Sequence, residues 1–160
     1  HLQQFSVPLQ VEVITDSWLH CWWPVLAAAA AVLFVLFVFC GYWSPARFGL
    51  RVGVMLAPEE DIDNEGFFYP IRGQPGSRSG FYRDAVVYIR QDFRISGKPS
   101  DAIVKLHAGR NQIRMRPLAS LWRRTADGEW EELPHEEISA RTGVLYRNDA
   151  KTLFFEIRSR

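Results

Sequence analysis

The chain has 160 residues and 18.5 kDa, enough for one ordinary domain and an additional segment, and too few for two full domains. Nineteen Lys and Arg stand against 18 Asp and Glu, a net +1 that lacks the strong basic excess of a dedicated nucleic-acid binder. A hydrophobic share of 48% excludes a largely disordered chain, and two cysteines exclude a disulfide scaffold or an all-cysteine zinc site.

In chain order, the first feature is an alternation over residues 5–13. Phe5, Val7, Leu9, Val11 and Val13 are apolar, with Ser6, Pro8, Gln10 and Glu12 between them. Period two marks a half-buried strand, although an extended tail also alternates by chance. Residues 1–21 are therefore expected to be an extramembrane segment whose strand completes an upstream or partner β-domain. The chain opens on His1, which fits a piece of a longer protein.

The run Trp22–Trp43, WWPVLAAAAAVLFVLFVFCGYW, has 22 residues and no charge. About 20 apolar residues in a helix cross a hydrocarbon core of roughly 30 Å. Trp18, Trp22 and Trp23 at one end, and Tyr42 and Trp43 at the other, match the aromatic belts of the two membrane interfaces. Residues 22–43 are expected to be a transmembrane helix with Pro24 in its first turn. A signal peptide is disfavoured because residues 1–21 contain no Lys or Arg. Arg47 and Arg51 follow the run closely, so the positive-inside rule places the C-terminal part in the cytoplasm. Within the run, Ala27 to Ala31 form a band of small side chains. Ala28 and Ala31 share one face and are candidates for close helix packing. Cys21 and Cys40 lie at opposite ends, roughly 28 Å apart along a helix, too far to bond.

Residues 46–160 carry short apolar runs separated by turn residues, the pattern of a sandwich or barrel. Strands are expected at Leu50–Ala57, Phe67–Arg72, Ala85–Ile95, Ala102–His107, Gln112–Pro117, Leu121–Ala126, Glu129–Leu133, Val144–Arg147 and Thr152–Arg158. Residues 134–142 are expected to form one or two helical turns. Asp127-Gly128 suits a two-residue turn that sets Arg124 against Glu131, Arg123 against Glu132 and Trp122 against Leu133. Turns at 108–111 and 148–151 pair Leu106 with Ile113, Val104 with Met115, Tyr146 with Leu153 and Val144 with Phe155. Lys105 and Arg114 then share a face, which calls for a nearby acid. The loop 73–80, GQPGSRSG, is expected to be mobile. The fold class is thus an all-β C-terminal domain, a small antiparallel sandwich or barrel, preceded by one transmembrane α-helix.

Chemistry is sparse. Asp61, Asp63, Glu65 and Gly66 resemble half of a calcium loop, but Arg72 stands where the bidentate Glu belongs. His107 and His135 lack helically spaced metal partners, and His135-Glu136-Glu137 lacks the second histidine of a zincin. No nucleophile elbow or P-loop ending is present. No catalytic residue, metal or cofactor is expected. All 19 basic residues and 16 of the 18 acidic ones follow residue 43, a local net of +3 carried by 16 Arg and three Lys. Arginine binds phosphates and carboxylates bidentately, so Ser77, Arg78, Ser79 and Arg83, in and beside the Gly-rich loop, form the candidate anion site. Arg72 flanks the same loop. The residues match no family pattern closely enough to carry a resemblance. The sequence points to a single-pass membrane protein whose non-catalytic β-domain makes protein contacts in a membrane assembly. Its expected partners are lipid and other subunits or copies of itself, not nucleic acid. The alternatives are a sensor of a phosphorylated or anionic ligand and, third, a membrane-tethered enzyme.

Overall fold

The computed structural model describes residues 4, 6, 8–11 and 18–160. Two compact units result, residues 1–39 and residues 40–160. Of the strand expected over 5–13, Phe5, Val7, Glu12 and Val13 lie outside the described residues. Leu9 and Val11 are described, exposed and not in a strand.

Helix α1 runs Trp18–Trp43 and is 26 residues long, beginning four residues before the charge-free run. Pro24 therefore falls in the second turn, where it removes one backbone bond, rather than in the first. Along α1 only Gly41 is buried. Alanine, branched aliphatic and aromatic side chains are exposed along it, so the helix is apolar on every face, the pattern of a core or membrane-spanning helix. It is long and apolar enough to cross a membrane.

After it come eleven strands among the described residues: β1 Val52–Ala57, β2 Phe67–Pro70, β3 Val86–Arg90, β4 Ile95–Ser96, β5 Ala102–Ala108, β6 Ile113–Pro117, β7 Leu121–Arg124, β8 Trp130–Glu132, β9 Ile138–Ala140, β10 Leu145–Asn148 and β11 Phe154–Ser159. They form a six-stranded sheet, β2-β1-β11-β10-β7-β8, and a five-stranded sheet, β4-β3-β5-β6-β9. Every pairing is antiparallel.

The two sheets face each other across one core. Val54, Leu56, Leu121, Tyr146, Phe155 and Ile157 come from the first, and Val87, Ile89, Val104, Leu106 and Met115 from the second. Each is an alternate residue of its strand, as period two requires. Burying a side chain of this class contributes about 1.5–3 kcal/mol. Tyr146 and Phe155, directly opposite on β10 and β11, stack at 5.1 Å and 18°. Strand β1 is buried on both sides. Met55 and Ala57 turn away from the main core onto Ile62, Leu145 and Phe154, with Phe68 and Trp130 at the margin. Ile62 opens α2, Ile62–Glu65, a single turn inside the acidic loop.

Several local expectations change. The β7–β8 hairpin closes through three residues, not two. Thr125 N–H donates to the Glu129 carbonyl at 2.7 Å, Gly128 N–H to the Thr125 carbonyl at 3.0 Å, and Gly128 sits at φ +85°. That is the three-residue loop with a left-handed glycine. The register moves by one residue, so Arg123 faces Glu131, Trp122 faces Glu132 and Arg124 faces Trp130. The other two hairpins move by two residues, pairing Leu106 with Met115 and Tyr146 with Phe155. A shift of two keeps every side chain on its face. The last turn is longer because Asn148 closes it: its Oδ1 accepts from the N–H of Thr152 at 2.9 Å and of Leu153 at 3.1 Å. Residues 138–140 are strand, not helix, paired at the edge of β6, and the stretch expected as one strand over 85–95 divides into β3 and β4. Arg72 falls in a 3-10 turn, Ile71–Gly73, after β2.

Candidate functional site

The connector after α1 is fixed rather than free. Ala46 N–H donates to Asp84 Oδ1 at 2.7 Å, Ala85 N–H donates to the Ala46 carbonyl at 3.0 Å, and Pro45 and Phe48 are buried. This clip holds Arg47 at the last turn of the helix, where its Nη2 donates to the Tyr42 carbonyl at 2.8 Å. A cation on the free carbonyls of a helix C-terminus is favoured by the helix dipole.

The Gly-rich loop is also pinned. Ser77 is 4% exposed, and its hydroxyl lies 2.7 Å from the Gln74 carbonyl and 3.0 Å from that of Arg72. Gly76, at φ +77°, packs directly on the backbone of Gly97, where no side chain would fit. Next, Gly80 and Arg83 form a two-way backbone bridge that presents Phe81 and Tyr82 to the end of α1. Tyr82 N–H donates to the Gly41 carbonyl at 2.9 Å, and the Phe81 ring meets Tyr42 edge-on at 5.3 Å. A Cβ at Gly41 would collide with the Phe81 ring. The sequence carried one sign of this contact, an aromatic pair enclosed by Gly80 and Arg83, but nothing in it named Gly41 as the partner.

These elements together form a depression of about 380 Å3 lined by Arg47, Phe48, Arg72, Ser77, Arg78 and Ser79. The expected anion set is thus partly assembled. Ser77, Arg78 and Ser79 come together, but the Ser77 hydroxyl is spent on backbone carbonyls. Arg83 lies instead in an adjoining depression of about 410 Å3 with Arg78, Asp84, Lys105 and His107. Arg47 and Arg72 complete the first depression; sequence reasoning counted Arg47 for topology and had no means of bringing it to this loop.

His107 lies between two carboxylates, with Nε2 3.2 Å from Asp84 Oδ2 and Nδ1 3.4 Å from Glu137 Oε1. Each ring nitrogen thus lies within ion-pair range of a carboxylate. His135 is exposed and elsewhere in the loop before β9. Among the described residues, no group of three or more His, Cys, Asp or Glu is placed to hold a metal ion. Lys105 faces Arg116, and Arg114 faces His107. The acid expected beside Lys105 and Arg114 forms no ion pair with them: Asp84 lines a depression with Lys105 but pairs with His107, and neither Lys105 nor Arg114 has an ion pair among the described residues.

A cleft of about 880 Å3 opens on the six-stranded sheet between the acidic loop and β7, lined by Glu60, Asp61, Asp63, Glu156, Arg123, Arg124 and Arg141 among others. Most of the charges in and beside it are paired, while Arg141 has no ion pair among the described residues. Arg124 pairs with Glu60 at 3.2 Å and Arg123 with Glu131 at 2.9 Å, while Arg158 bridges Asp63 and Glu156. Hydrogen bonds donated to Glu156 first and Asp63 second hold the Arg158 guanidinium pKa well above its ordinary value. Asp61 accepts from Asn64 Nδ2 at 2.7 Å. The acidic loop therefore serves arginines and its own short helix. Beside this cleft, burial raises the Tyr146 phenol, against a smaller lowering by the Arg141 N–H and the charges of Arg123 and Arg141.

On α1, Trp18, Trp22, Trp23, Ala28 and Ala31 are all exposed, as are Tyr42 and Trp43 at its end; Cys21 and Cys40 are free thiols. Comparison with known protein families, curated proteins and solved structures finds no match to this chain.

Proposed function

We propose that this chain is a single-pass membrane protein whose β-sandwich is a non-catalytic module for protein contacts within a membrane assembly. The observation that carries the reading is α1, 26 residues without Asp, Glu, Lys or Arg and with no covered apolar face. At roughly 39 Å it exceeds the hydrocarbon thickness, and its end aromatics suit both interfaces. Arg47 and Arg51 after the helix, against no Lys or Arg in residues 1–21, favour a cytoplasmic sandwich. The non-catalytic assignment is supported by the mutual engagement of titratable groups: His107 by Asp84 and Glu137, and Arg123 and Arg124 by their carboxylates.

Two places suit protein contact. One is the Ala27–Ala31 band, which lets a second helix approach closely. The other is the edge strand β2, where Phe67 is 71% exposed. The other three sheet edges, β4, β8 and β9, are only two or three residues long, which blunts them.

The test uses the full chain in native membranes. Detergent should be needed to extract it, and a C-terminal reporter should be active in the cytoplasm. A photo-crosslinker placed at position 28 or 67 should give protein adducts of discrete mass, lost with Ala31→Leu and Phe68→Ser respectively. Recovery as a monomer in plain buffer ends the membrane reading. If neither position yields a protein adduct, the contact reading fails and α1 is an anchor alone.

A further inference from the structure

We propose that the depression lined by Arg47, Arg72 and Arg78 is a phosphate-binding site, occupied in the membrane by the phosphate of an anionic lipid headgroup. The lipid source rests on the membrane reading of α1; the phosphate chemistry does not.

The lining holds three guanidinium groups and no carboxylate. Arg72 and Arg78 have no ion-pair partner among the described residues. Arg47 spends one N–H on the neutral Tyr42 carbonyl and keeps the rest of its five donors. Three like charges around one concavity repel one another while it is empty, and an anion relieves that repulsion. A phosphate matches the fixed fork of arginine with two parallel hydrogen bonds, which a point cation does not offer.

The backbone under these arginines is already ordered. The Asp84–Ala46 clip fixes the base of Arg47, and the Ser77 hydroxyl ties the chain carrying Arg72 to that carrying Arg78. Binding therefore orders side chains only, which lowers its entropic cost. Ser79 supplies the remaining hydroxyl of the lining.

The location selects the source of the phosphate. Arg47 touches the last turn of α1, beside Tyr42 and its edge-on neighbour Phe81. Tyrosine and tryptophan at the end of a spanning helix lie at headgroup level, where lipid phosphates are concentrated. Basic residues next to a spanning helix are attracted to anionic lipid in the cytoplasmic leaflet.

The experiment uses the full chain in nanodiscs of equal phosphatidylcholine and phosphatidylglycerol, with the lipid retained after release read by native mass spectrometry. Phosphatidylglycerol should be retained about tenfold over phosphatidylcholine, the ratio given by 1.4 kcal/mol. The triple variant Arg47→Gln, Arg72→Gln, Arg78→Gln should lose the preference. An equal charge loss on β6 and the turn before it, Arg110→Gln, Arg114→Gln, Arg116→Gln, should keep it. If the first triple variant melts early, Arg78→Glu alone, at an exposed side chain, replaces it. Equal retention of the two lipids, or equal loss in both triple variants, overturns the lipid assignment. Inorganic phosphate is titrated by calorimetry into the chain in phosphatidylcholine nanodiscs. Heat that vanishes in the first triple variant, without a lipid preference, supports a site for soluble phosphate; no heat and no lipid preference overturn the site altogether. A chain that does not enter nanodiscs fails the membrane reading, and calorimetry in buffer then decides the pocket by itself.

Discussion

Two arginine-rich regions of the sandwich differ in one respect: who balances the charge. In the cleft on the six-stranded sheet and beside it, Arg123, Arg124 and Arg158 each meet a carboxylate, and only Arg141 of that lining has no ion pair among the described residues. In the depression at the end of α1, Arg47, Arg72 and Arg78 meet none. Both linings gather three arginines, but Glu60, Asp61, Asp63 and Glu156 line the cleft and no carboxylate lines the depression, so the contrast comes from which segments the topology brings to each. The acidic loop folds back over β11, which brings Asp63 to Arg158, 95 positions away. The carboxylate of the adjoining depression, Asp84, is occupied by Ala46 N–H and His107. The lesson is that an arginine cluster reads as a binding site only after its acids have been located in space.

A third case marks the limit of the comparison. Arg147 is buried, with its guanidinium 5.0 Å from the Trp122 ring and 4.8 Å from that of Trp130, and its Nη1 on the Asn148 carbonyl at 3.1 Å. Two rings stand where a carboxylate stands for its neighbours. Arg147→Ala should be the costliest arginine substitution, about 2–3 kcal/mol in denaturant unfolding, through lost packing and two cation–π contacts. A cost below that of the surface ion pairs would mean the rings do not hold the charge.

Tyr146 sharpens the same region by pH. Its phenol is raised by burial. Below about pH 10 folded and unfolded chains both keep the proton, so it adds no pH dependence. Above that, the unfolded chain releases its proton first, and stability falls as pH rises, by at most about 1.4 kcal/mol per pH unit. In the native protein its absorbance titration should come at higher pH than after unfolding. Tyr146→Phe should remove this part of the alkaline loss, and an unchanged alkaline profile would assign the loss elsewhere.

Gly128→Val tests the turn that sets the cleft's rim. At φ +85° a β-branched residue is strained, and the domain should lose about 1 kcal/mol or more. Gly73→Val, in open space and at ordinary φ, is the control. Equal melting temperatures for the two would place the hairpin turn elsewhere.

The smallest effect tests the comparison directly. Arg158→Ala should lose a few tenths to about 1 kcal/mol at low salt, and less at high salt. Arg72→Ala should cost nothing or stabilise slightly, because it relieves repulsion without breaking a pair. Equal costs with the same salt dependence would erase the distinction between paired and unpaired arginines.

What the sequence determined by itself was whatever depends on a residue and its near neighbours. An uncharged run of 22 residues dictates an apolar helix. Period-two alternation puts Val104, Leu106, Tyr146 and Phe155 on inward faces, and those faces survive a two-residue error in register. Gly128 announced a left-handed position whether the loop had two residues or three. The tertiary structure decided what depends on partners far along the chain. Asn148 set one register with a side-chain cap, and a left-handed glycine in a three-residue loop set another. Ile138–Ala140 became strand only because β6 offered an open edge; three residues carry too short a period to declare themselves. The candidate anion site divided in the same way. Loop composition drew attention to Ser77, Arg78, Ser79 and Arg83. Only the fold spent the Ser77 hydroxyl, moved Arg83 next door and brought Arg47 to Arg78 and to Arg72, which the sequence already placed beside the loop. Charge pairing acts through space, and sequence spacing does not carry that distance.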